Sequence, residues 1–254
     1  MALPNFIGIG TQRAGTTWLY EMLSLHPDIF LPAQKELHFF DEKPDFSAYE
    51  GLGNPGQRPY YDMGSADHWN WYREQFEPGL KHKVRGEITP FYATLSDKRV
   101  ALMAEKLPAL KIIYIIRNPV KRAWSGFRLF WFLETGHKEC EPAEDIIRKT
   151  VMYPAKLIHG DYRRNTRVYE NNFKRDRILY LFYDDIIQSP DEFLKQVFSF
   201  LEIEPLPLTG AELKKKVNAA PDAAMPMSVE KALADHYADQ IDFIRSKFDR
   251  ELVY

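Results

Sequence analysis

Phe6-Ile7-Gly8-Ile9-Gly10-Thr11-Gln12-Arg13-Ala14-Gly15-Thr16-Thr17 joins a short apolar run to a glycine-bounded loop and then to apolar residues at helical spacing, Leu19, Met22 and Leu23. The order is strand, tight loop, helix. Pro27 closes the helical pattern, and residues 29–31 return to extended chain. The two bracketing glycines have the spacing of a phosphate-binding loop, in which backbone N–H groups and the following helix N-terminus receive an anion. A nucleoside-triphosphatase loop places Lys directly after the second glycine. Here that place holds Thr16, and the loop's cation is Arg13. Taken alone, the segment also reads as a ligand-free strand-to-helix turn.

Outward from this loop, further strands are expected at residues 83–88, 110–116 and 178–183. The run Leu110-Lys111-Ile112-Ile113-Tyr114-Ile115-Ile116 is almost continuously apolar, as in a strand buried on both faces of a parallel sheet. It ends at Arg117. Asn118 is a good N-cap with Pro119 at the first helical position, so a helix should run to about Phe132. Helices are also expected over about residues 69–76, 190–201 and 229–249. Strands alternating with helices predict an α/β fold: a P-loop-like parallel sheet covered by helices on both faces, one domain over residues 1–254. Residues 43–80, rich in Gly, Pro, Asp and aromatics, form a loop-rich insertion and a candidate acceptor-binding wall.

The 254 residues are 45% hydrophobic and 14% aromatic, enough for a core, which excludes disordered and fibrous classes. Thirty-four basic against thirty-six acidic side chains leave a net charge of −2, so no nucleic-acid partner is expected. No apolar run approaches the length of a membrane span, and the first residues lack a signal-peptide pattern. Cys140 is the single cysteine and no Asn-x-Ser/Thr sequon occurs. An intramolecular disulfide and a cysteine-built metal site are therefore excluded, and the expected location is cytoplasmic rather than a trimmed luminal domain.

Residues 10–19 resemble the 5′-phosphosulfate loop of sulfotransferases that use 3′-phosphoadenosine 5′-phosphosulfate (PAPS), whose usual pattern has Lys where this chain has Arg13. The resemblance implies that Gln12, Arg13, Ala14, Gly15, Thr16 and Thr17 bind the 5′-phosphosulfate. Arg117-Asn118-Pro119 followed by Ser125 is similar to the family's 3′-phosphate site, implying that Arg117 and Ser125 bind that group. The residues support this on their own terms. Arg117 leaves the carboxyl end of a buried strand, where open α/β sheets bind ligands, and Ser125 lies two helical turns from Asn118 on the same face. A guanidinium and a hydroxyl can converge there on a dianion.

Lys35-Glu36-Leu37-His38-Phe39-Phe40-Asp41 resembles a segment of the heparan sulfate sulfotransferases, particularly the glucosaminyl 3-O-sulfotransferases. The resemblance implies Glu36 as catalytic base, supported by His38 and Asp41. If the segment is extended, Glu36 and His38 point to one side while Phe39 and Phe40 anchor the chain. A carboxylate beside an imidazole suits proton removal from an acceptor hydroxyl or amine. A salt-bridged Lys35/Glu36 turn is the other reading. Gly86-Glu87-Ile88-Thr89-Pro90-Phe91-Tyr92 resembles the family's Glu-x-Ser/Thr-Pro-x-Tyr segment, with Ile88 where the 3-O-enzymes carry Lys. That departure implies a different acceptor subsite, and Thr17, which lacks their cationic side chain, argues against a heavily anionic polysaccharide acceptor. Trp71, Tyr72 and Phe76 read either as sugar-stacking residues or as core. Gly160-Asp161-Tyr162 and a strand end at Tyr183-Asp184-Asp185 extend the resemblance over most of the chain.

The implied function is in-line transfer of a sulfuryl group from PAPS to a hydroxyl or amine of a carbohydrate or other small acceptor, leaving adenosine 3′,5′-bisphosphate and requiring no metal. Glu36 would be the base, His38 its positioning partner, and Arg13 the stabiliser of the leaving phosphate. Two rivals stand beside it. One is a P-loop small-molecule kinase with Asp184 or Asp185 on Mg²⁺, the other a catalytically silent nucleotide-binding module.

Overall fold

Strand β1 (Phe6–Gly10) lies between β3 (Val84–Ile88) and β4 (Lys111–Ile116), with the two-residue β2 (Ile29–Phe30) and β5 (Ile178–Phe182) at the edges. The order is β2-β3-β1-β4-β5 and every pairing is parallel. The computed structural model describes residues 2–42, 61–135, 142–213 and 223–253.

Residue alternation along β4 explains its continuous apolar composition. Ile112, Tyr114 and Ile116 enter one core cluster, whereas Ile113 and Ile115 enter another. From Ile112 to Ile116 both faces are buried, so inward and outward positions alike are apolar there, while Lys111 at the strand start is half-buried. Helix α1 (Thr16–Ser24) and α9 (Pro190–Leu201) cover one face through Leu19, Leu23, Phe193 and Val197. The other face packs against α2 (Ala66–Glu74), α3 (Asp97–Lys106) and α7 (Tyr162–Asn172), through Tyr72, Val100, Met103 and Tyr169. Beside the sheet, α4 (Pro119–Thr135), α5 (Glu144–Val151) and α11 (Met227–Phe248) share a third cluster containing Phe127, Ile147 and Leu233, and the one-turn helices α6 (Pro154–Leu157) and α10 (Gly210–Leu213) lie in the intervening connections. No helix among the described residues is long and apolar enough to cross a membrane.

The connection after β1 runs towards β2 on one side, and the connection after β4 runs towards β5 on the other. β1 and β4 are neighbours, with Gly10 registered on Tyr114. Their carboxyl ends therefore flank a topological switch point, where this architecture opens a ligand crevice. Asn118 caps α4 as expected, its Oδ1 accepting from the Val120 and Lys121 amides at 3.0 and 3.2 Å.

Several boundaries differ from the sequence expectation. The last strand stops at Phe182, and Tyr183 opens a short helix, α8 (Tyr183–Gln188), whose first turn carries Asp184 and Asp185. Acidic side chains favour a helix N-terminus, and this local term ends the strand one residue early. α3, α5 and α7 have no counterpart in the sequence expectation, because their polar-rich segments carry few apolar residues at helical spacing. Of the loop-rich insertion, residues 43–60 lie outside the described residues, and residues 61–80 contain α2 and a 3₁₀ turn at Glu77–Gly79. Tyr72 and Phe76 are fully buried, which assigns them to core packing rather than sugar stacking.

Candidate active site

The loop after β1 is shaped by left-handed residues. Gly10 has φ 130° and Gly15 φ 82°, and a Cβ on either would sit 2.6 Å from another atom, Pro90 O or Ile186 Cδ1 respectively. These two positions require glycine for both conformation and space. The Thr11 amide continues the sheet by donating to Ile115 O at 2.8 Å, and the Thr11 hydroxyl donates to His159 O at 2.9 Å. The chain then turns into α1, which has no side-chain cap and no acidic residue in its first turn. Its N-terminus follows the carboxyl end of β1 at the crevice, a positive end suited to an anion. Ala14 and Thr16 are buried in this loop, while Gln12 and Thr17 are half-buried.

Three elements bring their polar groups together here. Arg13 Nε donates to Ser125 Oγ on α4 at 3.0 Å, and Arg117 Nη1 donates to Arg13 O at 2.6 Å. The Arg117 guanidinium lies 4.1 Å from the centre of the Tyr183 ring. Burial, with the neighbouring charges of Arg117 and Arg128, lowers the Arg13 guanidinium to about 10. Arg117 is lowered too, chiefly by burial. Its Nε is buried without a hydrogen-bond partner among the described residues. Clustered cations with an unspent buried donor fit a polyanionic ligand, and the residues fit a nucleotide bearing phosphates at two ends.

The segment carrying Glu36 is not extended. Glu36 has φ 64° and His38 φ 56°, so the alternation that sequence reading used does not apply. These left-handed turns flank Leu37, which is fully buried with Phe39 and Phe40, while the polar side chains gather together. Burying three apolar side chains so closely spaced outweighs regular strand geometry. The Lys35 ammonium contacts Glu36 Oε1, and His38 Nε2 lies 3.5 Å from Glu36 Oε2. His38 Nδ1 is 2.7 Å from Asp41 Oδ2. Burial opposes ionisation of Glu36, but His38 and Lys35 outweigh it and hold the carboxyl down at about 2. Both sequence readings of the segment are therefore present together: a Lys35/Glu36 ion pair within a carboxylate–imidazole cluster.

Half-buried Phe91 connects this cluster to the loop. Its ring lies 5.7 Å from that of His38 and 5.1 Å from that of His159, whose carbonyl holds Thr11. No local sequence pattern gives a role to Phe91, His159, Tyr183 or Arg128. Their positions depend on contacts between distant segments, which no local pattern announces. Nor does one give a role to Glu87, which is 2% exposed and accepts from the hydroxyls of Tyr72, Thr89 and Tyr92 at 2.7, 2.8 and 3.2 Å. The resemblance of residues 86–92 is the only sequence signal for it. Ile88, expected to modify the acceptor subsite, is 1% exposed and packs against Gly8, where it cannot meet an acceptor.

The carboxylates that a kinase would give to magnesium have protein partners. Arg250 pairs with Asp185, and Asp184 Oδ2 accepts from the Val253 amide at 2.7 Å. Among the described residues, no group of three or more His, Cys, Asp and Glu could hold a metal ion.

Solved structures and known sequences resemble this chain. The crystal structure of a sulfotransferase from Alicyclobacillus acidocaldarius superposes with a TM-score of 0.68, at 20% identity, over 99% of this chain and 98% of that one. The sulfotransferase domain from the curacin biosynthetic pathway gives 0.56 at 17% identity, over 100% and 99%. These likenesses show the fold. By sequence, the membrane-associated sulfotransferase kil1 of Dictyostelium discoideum is 32% identical over 180 residues, 69% of this chain and 33% of that protein. Heparan sulfate glucosamine 3-O-sulfotransferase 3B1 of Mus musculus is 32% identical over 127 residues, 49% of this chain and 26% of that protein. The chain thus spans a third or less of the length of these two relatives. The sulfotransferase domain family matches residues 3–219, a span holding the glycine loop, the Glu36 cluster and the Arg117/Ser125 pair, and the chain belongs to that family.

Proposed function

We propose that this chain transfers a sulfuryl group from PAPS to a hydroxyl or amine of a carbohydrate or other small acceptor. The observation that carries the reading is the convergence of Arg13, Arg117 and Ser125 at the β1/β4 switch point, with Arg117 Nε still lacking a partner among the described residues. The donor supplies an activated sulfuryl group on a phosphate leaving group. Backbone amides of residues 12–17 and the hydroxyls of Thr16 and Thr17 hold its 5′ end, while Arg117 and Ser125 hold the 3′-phosphate.

Arg13 places charge where the leaving phosphate gains it, and at about 10 its guanidinium stays protonated at neutral pH. It stabilises without donating a proton, which a weakly basic phosphate does not need. Glu36 is the base. Lys35 and His38 keep it ionised, the state a base requires. Its weak basicity suffices because an acceptor oxygen becomes strongly acidic as its bond to sulfur forms. Asp41 fixes the His38 ring, whose other nitrogen faces Glu36. Relatives named as heparan sulfate glucosamine 3-O-sulfotransferases support a sugar hydroxyl as acceptor, and residues 43–80 are its proposed wall.

Thermal shift tests the donor. Adenosine 3′,5′-bisphosphate should stabilise the protein without Mg²⁺, whereas stabilisation by ATP only with Mg²⁺ would favour a kinase. Labelled sulfate donor with a panel of sugars, phenols, lipids and peptides tests transfer. Binding without transfer to any of them would leave a silent module.

A further inference from the structure

Glu87 has no part in the transfer derived above, yet it lies directly beneath the segment that carries Glu36 and His38. The geometry points to Glu87 as a positioning residue: its ionised carboxylate orients the Tyr92 hydroxyl to receive the Phe40 amide, fixing residues 35–41. This rests on the proposed roles of Glu36 and His38.

Each of the three hydroxyls around Glu87 has one proton, and each gives it to the carboxylate. The Tyr92 oxygen is thereby left as an acceptor. The Phe40 amide donates to it at 3.3 Å. Phe40 stands between His38 and Asp41, so this contact holds the backbone that carries the imidazole and its partner. Tyr72, held by the same carboxylate, stacks flat on Phe39 with ring centres 4.1 Å apart and planes 9° apart. One buried carboxylate thus fixes two successive residues of the segment, one through its backbone and one through its ring.

Protonating Glu87 reverses part of this arrangement. The new O–H needs an acceptor, and among the described residues the three hydroxyl oxygens are the ones hydrogen-bonded to the carboxyl. When Tyr92 accepts, its own proton loses the carboxylate and must compete with the Phe40 amide. The groups facing Glu87 are Tyr72 from α2, Thr89 and Tyr92 from the chain beyond β3, and His38, whose charge favours the ionised form. Burial, the largest influence, raises the carboxyl to about 7, which puts the change within the neutral range.

Backbone amide exchange at Phe40 reads this arrangement without turnover. In the parent protein, Phe40 protection should be about tenfold greater at about pH 8 than at about pH 6, after correction for intrinsic exchange. Glu87→Gln and Tyr92→Phe should each lower it and remove its pH dependence. Should Glu87→Gln fail to fold, Tyr92→Phe, which keeps the ring, carries the test. With an acceptor from the panel, both variants should lose about 10- to 100-fold in kcat, while affinity for adenosine 3′,5′-bisphosphate stays within about twofold. Glu87→Gln should also erase the acid limb of the kcat profile near neutrality. Unchanged Phe40 protection together with an unchanged limb would overturn the inference. Normal turnover by Glu36→Gln would instead remove the base assignment and leave the exchange result standing.

Discussion

Replacing Arg117 with alanine removes the guanidinium that stacks on Tyr183 and donates to the Arg13 carbonyl. In the proposed complex it also removes the charge-assisted hydrogen bonds to the 3′-phosphate, worth about 1.5–3 kcal/mol. Affinity for adenosine 3′,5′-bisphosphate should therefore fall by about 10- to 150-fold. Adenosine 5′-phosphate lacks the 3′-phosphate that Arg117 is proposed to hold, and its affinity should change by less than about threefold. In a thermal-shift experiment at a ligand concentration about 100 times the parent Kd, the parent gains about 2.7 kcal/mol, and a variant about 30-fold weaker gains about 0.9 kcal/mol. The unliganded protein should melt somewhat below the parent temperature. Loss of one hydrogen bond, about 1 kcal/mol, and of the contact with the Tyr183 ring, about 0.5–2 kcal/mol, is partly offset by relief of repulsion between Arg117 and Arg13, whose proximity helps lower the Arg13 guanidinium. Arg117→Lys keeps the charge but not the planar fork, so its loss should be intermediate. Equal weakening of the two nucleotides, or none, would refute the 3′-phosphate assignment.

Glu36→Gln should lose about 10²–10⁴ in kcat with nucleotide affinity unchanged, and His38→Ala should lose less; the reverse ranking, measured by steady-state transfer, would exchange their roles. Arg13→Ala should lose about 10²-fold or more in kcat, and Arg13→Lys should keep measurable activity, because the proposed role of Arg13 is to place charge at the leaving phosphate. A parent-like Arg13→Ala would reduce Arg13 to a structural partner of Ser125. Glu36 also predicts a stability trend. Its carboxyl is held below its ordinary 4.5, so its contribution is present above about pH 4.5 and is lost as pH falls towards about 2. With the side chain 31% exposed and screened by solvent, the difference between parent and Glu36→Gln should be about 1–2 kcal/mol at neutral pH. Denaturant melts that lose stability in parallel on acidification would remove this pairing.

Local chemistry by itself determined much of this protein. The glycines at 10 and 15, the apolar run ending at Ile116 and the Asn118-Pro119 cap each act through neighbouring backbone, and each lies in the fold where its local signal places it. The parallel sheet follows, since strands buried on both faces need helical crossovers. Tertiary structure decided the rest. Glu36 and His38 meet through left-handed turns, because burying Leu37, Phe39 and Phe40 overrides strand alternation. Ile88 faces Gly8 instead of an acceptor, because its register on β1 directs the side chain inward. Glu87 collects hydroxyls from α2 and from the turn after β3, and no sequence window contains that meeting. Arg13, Arg117 and Ser125 likewise converge only when β1 and β4 pair side by side. Periodicity and turn chemistry are short-range and can be read along a chain. Burial and charge proximity join residues far apart in it, and they take their values only after the sheet has closed.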